Sequence, residues 1–129
     1  MDPHKGRILY TEDDPDSREM IRVLFTFEGY EIVCAESGMQ ALYLARNEHF
    51  DLFLVDNWMP TVTGVELTRF IREFNQTTPI LFYSGAAYEK DRQGALKAGA
   101  QGYVTKPPDI DELLGEVERL IQESRQSTS

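Results

Sequence analysis

Three acids, a hydroxyl and an ammonium stand at the ends of short apolar runs in this sequence. Glu12 and Asp13 follow "ILYT", Asp56 follows "LFLV", Ser84 follows "ILFY" and Lys106 follows "GYVT". An unbroken apolar run as short as Leu52 to Val55 reads as a strand buried on both faces, so a carboxylate at its tip calls for a function. Two or three carboxylates in one pocket repel each other and invite a divalent cation, and oxygen-only ligands select Mg²⁺ or Mn²⁺. A hydroxyl and a lysine nearby suit an anion with spare oxygens. A carboxylate nucleophile, a hard cation and a lysine together describe phosphoryl transfer onto Asp56, with an acyl phosphate as product.

These groups meet only if regular elements bring them together. Five apolar runs stand out: 8–10, 31–35, 52–55, 80–83 and 102–104. Helical spacing fills the gaps, with Met20, Ile21, Leu24, Phe25 and Phe27 clustering in the first helix. Leu113, Leu114, Val117, Leu120 and Ile121 follow the 3.6 period in the last. Asp14 before Pro15 is an N-cap signal with proline at the first helical position. Ser37-x-x-Gln40 and Thr63-x-x-Glu66 read as capping boxes, Asp109-x-x-Glu112 is a relative, and Gly29 and Gly99 read as helix stops. Strand and helix alternate five times, which demands a doubly wound α/β fold: five parallel strands with five helices on both faces. Right-handed crossovers place strands one, three, four and five side by side with strand two at an edge. Ligands in such sheets sit at the carboxyl ends of the strands, where the acids, Ser84 and Lys106 lie.

The 129 residues point to one domain, a core over 6–123 with a polar tail at 124–129. Hydrophobic content of 41% makes it globular, and a net charge of −9 argues against direct nucleic-acid binding. The single cysteine, Cys34, reads as a small buried hydrophobe and fits a reducing compartment. No run approaches a membrane helix and no signal core is present, so the expected location is the cytoplasm, away from membranes. His4 and His49 lack metal-ligand spacing with any cysteine pair. "YSGAA" is not a nucleophile elbow, and Ala100 stands where a phosphate-binding loop after Gly94 and Gly99 needs lysine.

Taken in order, these residues resemble the receiver domain of a two-component response regulator, of the single-domain chemotaxis-regulator type. The match runs through Glu12-Asp13 ahead of "DP", Asp56, Met59-Pro60 with Gly64, Ser84, Tyr103 and Lys106-Pro107. The resemblance implies a flavodoxin-like strand order 2-1-3-4-5. It implies a signalling switch phosphorylated on Asp56 by a sensor histidine kinase or a histidine phosphotransfer protein, not a turnover enzyme. Its output passes to a downstream protein target or an output domain outside this chain. Asp13 and Asp56 are to bind Mg²⁺ through carboxylates, Trp58 through its backbone carbonyl, and Glu12 mostly through water. Lys106 is to pair with Asp56 and then with the phosphoryl group. Ser84 is to swing toward a phosphoryl oxygen, Tyr103 to turn inward behind it, and Lys106–Pro107 to be cis.

Two departures matter. The first acid is Glu12 where Asp is more usual, and the bulky Trp58 stands two residues after Asp56. In this family the approach of hydrolytic water is flanked by positions occupied here by Trp58 and Ala86. Neither can orient water through a carboxylate or amide, so slow self-dephosphorylation is expected. "DNW" begins like the D-x-D signature of an aspartyl-phosphate phosphatase or phosphotransferase, but Trp58 replaces the second acid. A flavin carrier of the same topology needs a phosphate cradle after strand one, where "TEDDPD" would repel phosphate. Gln101-Gly102 replaces the acidic doublet often found before the switch aromatic in receivers that dimerise through the last two helices, so that dimer is not supported.

Overall fold

The computed structural model describes residues 5–86, 88–107 and 109–127; His4 and the last two tail residues lie outside them. The chain alternates β1(Arg7–Thr11), α1(Pro15–Phe27), β2(Glu31–Ala35), α2(Gly38–Asn47), β3(Leu52–Val55), α3(Gly64–Arg72), β4(Ile80–Ser84), α4(Glu89–Ala98), β5(Gly102–Thr105) and α5(Ile110–Ser127). All strand pairs are parallel, in the order β2-β1-β3-β4-β5. The doubly wound fold and the edge position of strand two are therefore as expected.

Alternation along the strands divides the interior. Ile8, Tyr10, Leu52, Leu54, Leu81 and Tyr83 face one side, with Ile21 and Phe25 of α1 and Leu113 and Val117 of α5. Leu9, Phe53, Val55, Ile80 and Phe82 face the other, beneath Ala41 of α2, Leu67 and Ile71 of α3 and Ala95 of α4. β3 and β4 are buried along their whole length, as central strands covered on both faces must be.

The helix ends follow the sequence signals. Asp14 Oδ2 accepts from Ser17 N at 2.9 Å, with Pro15 at the first turn. Thr63 and Glu66 cap each other reciprocally at 3.1 and 3.0 Å. Ser37 caps Gln40 N, but the Gln40 side chain accepts from Glu36 N instead of Ser37 N, so that box is only half made. Asp109 Oδ1 accepts from Asp111 N at 2.9 Å. Gly29 and Gly99 end α1 and α4 with φ of 98° and 121°, a conformation that favours glycine.

Three expectations need revision. Met20 and Phe27 are exposed, because 100° per residue puts them on the face opposite Ile21 and Phe25. The expected polar tail is helical to Ser127: its residues are adequate helix formers, and Arg125 reaches Asp51 at 3.8 Å. Cys34 is only partly buried, because β2 is the edge strand.

Close packing also aims the loop after β3. A Cβ on Gly64 would come within 2.6 Å of the Asp56 carbonyl oxygen, 2.8 Å of Asn57 Cα and 2.9 Å of Phe82 Cε2. Two of those atoms are backbone, so the loop carrying Asp56 would have to move. Gly64→Ala is predicted to cost about 1–3 kcal/mol of stability in urea denaturation. An unchanged midpoint would show that the loop yields freely.

Candidate functional site

At the carboxyl ends of β1 and β3, one carboxylate oxygen each from Glu12, Asp13 and Asp56 lie within 4.8 Å of one another. Glu12 and Asp56 are 2% and 6% exposed, while Asp13 opens to solvent. Oxygens around an octahedral Mg²⁺ lie roughly 3–4 Å apart, so this all-oxygen set needs only slight closure to fit a hard cation. The chain reversal after β1 is secured by Arg18, whose Nη1 donates to the Glu12 and Asp13 carbonyls at 2.9 and 3.0 Å.

Lys106 comes from the end of β5, where its backbone N–H donates to Ser84 O at 2.9 Å and the following Lys106–Pro107 bond is cis. Its ammonium does not pair with Asp56 as the resemblance implied. It pairs with Glu12 Oε1 at 2.5 Å and lies 5.0 Å from the centroid of the Tyr83 ring. The extra methylene of Glu12 gives this acid the reach. Tyr10 OH also donates to Glu12 Oε1, at 3.2 Å, and Asp14 N donates to Oε2 at 3.2 Å. Asp14 is thus a helix cap whose amide also serves the cluster.

Asp56 is less well served. Among the described residues its carboxylate accepts a long hydrogen bond from Trp58 N to Oδ1 at 3.4 Å, and the Ser84 side chain gives it a further polar contact. Trp58, two residues after Asp56, is 60% exposed. Asn57, between them, is buried.

Ser84 is fully buried at the end of β4, and its Oγ accepts from Ala86 N at 3.3 Å. Tyr103 already faces inward: its ring stacks on Phe82 (5.6 Å, 12°) and its hydroxyl donates to Ala86 O at 2.6 Å. Ala86 therefore joins Ser84 to Tyr103 through its backbone. Its side chain is fully buried, so it is a packing joint more than an open flank of the water approach.

Sequence reasoning thus found every member of the cluster but missed Tyr10, Tyr83 and Arg18. Tyr10 and Tyr83 lie inside apolar runs and read as core, and Arg18 reads as a surface residue of α1. A polar atom on a strand residue two positions before an acid was the available signal for Tyr10.

Electrostatics follows the bonding. Burial pushes the Asp56 carboxyl up to about 6, the Glu12 charge adds to the rise, and Lys106 opposes it. Burial also works against a charged Glu12, but the Lys106 hydrogen bond and charge, helped by the Asp14 amide, hold its carboxyl below the ordinary range. Asp13 is raised by partial desolvation and then by Glu12.

A raised carboxylate favours folding while it is protonated. The Asp56 contribution is present below about pH 4 and is lost as pH rises through about 6. Asp56→Asn escapes that loss. In EDTA it should be about 1–3 kcal/mol more stable than the parent near pH 8 and nearly equal near pH 4. Urea denaturation at the two pH values measures this, and a pH-independent difference would contradict it.

Comparison with known proteins agrees with this geometry. The family model described as the response regulator receiver domain matches residues 8–118. A probable transcriptional regulatory protein of Picosynechococcus is 38% identical over 92% of this chain and 50% of its own length. The regulatory protein AtoC of Escherichia coli is 35% identical over 91% of this chain and 25% of its own. The chain thus spans half or less of these two relatives. Among solved structures, a CheY-like receiver domain protein from Methanospirillum hungatei superposes with a TM-score of 0.89 at 28% identity, over 94% of this chain and 97% of that one. The receiver domain of the sensor histidine kinase PA1611 from Pseudomonas aeruginosa, with a magnesium ion coordinated in its active-site cleft, gives 0.84 at 30% identity, over 91% and 98%. With five parallel strands in this order and the acids at their carboxyl ends, the chain belongs to the response regulator receiver domain family.

Proposed function

We propose that the chain is a phosphorylation switch in which Asp56 accepts a phosphoryl group and the β4–α4 region reports it. The observation that carries this reading is the buried, poorly compensated Asp56 carboxylate, gathered with Glu12 and Asp13 inside 4.8 Å. An Asp56 oxygen attacks phosphorus while the bond to the donor breaks. The leaving imidazole nitrogen of a phosphohistidine, or the acetate of acetyl phosphate, keeps the electron pair and can take up a proton. Mg²⁺ held by Asp13, Asp56, the Trp58 carbonyl and, through water, Glu12 would offset charge on the phosphoryl oxygens. Lys106 neutralises a further oxygen, and Ser84 turns its hydroxyl to another.

The response then passes along bonds already present. If Ser84 Oγ leaves Ala86 N for the phosphoryl group, the Ala86 backbone moves, and Tyr103 is tied to that backbone. The output is a changed protein-binding face, read by a downstream target or by an output domain elsewhere in a longer protein. Donors are a sensor histidine kinase or a histidine phosphotransfer protein. The setting that fits is the cytoplasm, and among the described residues no helix is long and apolar enough to cross a membrane. A switch is favoured over a phosphatase because Trp58, at the second position of a would-be D-x-D pair, carries no acid or base. Gln101 is committed internally, its Oε1 accepting from Ile80 N and Arg72 Nη2, each at 2.8 Å.

Incubated with Mg²⁺ and acetyl phosphate, the parent should incorporate phosphate and Asp56→Asn should not, as read on a phosphate-affinity gel. Equal incorporation by the mutant would overturn the assignment.

The lifetime of the phosphorylated state rests on Trp58, since Ala86 is fully buried. Trp58→Asn supplies an amide that can orient water and should speed loss of phosphate about 3–10-fold, roughly 1 kcal/mol off the barrier. Decay at the parental rate after donor removal would mean that the indole does not control that water.

A further inference from the structure

Asn57 puts an amide next to a largely apolar face of the sheet. Val55 of β3, Phe82 of β4 and Tyr103 of β5 are paired in one row across the strands, in the layer covered by α2, α3 and α4. Alternate residues share a face, so Asn57 and Ser84 stand one row further toward the carboxyl ends. Asn57 is 8% exposed and Ser84 fully buried. Tyr103 stacks its ring on Phe82, and its hydroxyl reaches that next row. There it donates to Ala86 O at 2.6 Å and meets the side chains of Ser84 and Asn57.

The amide has a fixed base. Gly64 N donates to Asn57 O at 3.1 Å, and a Cβ on Gly64 would come within 2.8 Å of Asn57 Cα. The backbone of Asn57 is therefore pinned to the start of α3. With its proton given to Ala86 O, the phenol oxygen of Tyr103 is left as an acceptor, and an amide N–H is a suitable donor to it. A buried amide needs such a partner, and among the described residues no fully buried side-chain nitrogen or oxygen lacks one.

We propose that Asn57 is a positioning residue that tethers Tyr103 inward from the loop after β3, so that the aromatic is already held before a phosphoryl group arrives. Asn57 acts only through the phenol. The tether itself rests on the contacts of the free protein; its part in the response rests on the reading of the chain as a phosphorylation switch. In that reading Tyr103 answers to two neighbours of Asp56: Ser84, through the Ala86 backbone, and Asn57, the next residue in the chain. Without the amide, the free protein divides between inward and outward phenol, and a ligand that engages Ser84 shifts the population back inward. A role confined to packing would not depend on the tyrosine hydroxyl.

The test is a double-mutant cycle of Asn57→Leu and Tyr103→Phe. Hydroxyl-radical labelling with peptide mass spectrometry reads the exposure of residue 103, with Tyr43 on α2, 67% exposed, as internal reference. Asn57→Leu should raise labelling at residue 103 about two- to fourfold in the parent and leave it unchanged in Tyr103→Phe, where no hydroxyl is left to hold. Beryllofluoride with MgCl₂ should return Asn57→Leu to the parental value. Unchanged labelling in Asn57→Leu, or the same rise in both backgrounds, would overturn the tether. So would labelling that stays high in Asn57→Leu while the fluorescence of Trp58, the single tryptophan, shows beryllofluoride bound. If Asn57→Leu does not fold, Asn57→Ala removes the same amide and is judged by the same outcomes. A parent whose Trp58 fluorescence ignores beryllofluoride would overturn the switch reading, while labelling without ligand still decides the tether.

Discussion

The structure depends on one unfavourable arrangement: carboxylates driven together at the carboxyl end of a sheet that is apolar on both faces. Burying a charge is costly unless it is paired and hydrogen-bonded. Glu12 meets that condition through Lys106, Tyr10 and the Asp14 amide, whereas Asp56 does not. The fold holds Asp56 in place regardless. Val55 and Phe82 are paired across β3 and β4, Gly64 packs against the Asp56 carbonyl, and Arg18 ties down the turn that carries Glu12 and Asp13. Apolar packing on both sides of the sheet stabilises a site whose own electrostatics oppose folding.

In the proposed switch, that imbalance is the source of the response. A phosphoryl group or a cation changes the charge at Asp56, and the nearby donors can exchange partners. Lys106 can leave Glu12, and Ser84 can leave the Ala86 amide. In the proposed switch each exchange trades one polar contact for another, and the response would run along the β4–α4 connection to Tyr103. Tyr103 stacks on Phe82 and donates to Ala86 O beside that connection.

Much of this was legible in the sequence, for physical reasons. Local signals depend on neighbours a few residues apart, so the caps at Asp14 and Thr63 and the stops at Gly29 and Gly99 could be read directly. The apolar run 52–55 announced a doubly buried strand, and with the fold class in hand the strand ends located Glu12, Asp13, Asp56, Ser84 and Lys106 at one rim. What could not be read was side-chain reach. Whether Lys106 meets Asp56 or Glu12 depends on one methylene and on a hydroxyl from Tyr10, separated from it by most of the chain. Tyr10 itself looked like core because it is core, apart from its one oxygen. Met20 and Phe27 were legible as apolar but not as outward-facing, since a cluster of apolar residues fixes the face of a helix only when the 100° step is followed residue by residue.

The most direct test of the account is chemical location of the phosphoryl group. Borohydride reduces an acyl phosphate to the corresponding alcohol and leaves free carboxylates intact. After treatment with acetyl phosphate and Mg²⁺, reduction and peptide mass spectrometry should find homoserine in place of aspartate at position 56 alone, and none without the phosphate donor. Reduction at Asp13 or another acid, or a phosphorylated protein with position 56 unaltered, would contradict the central claim that the buried carboxylate of Asp56 is the acceptor.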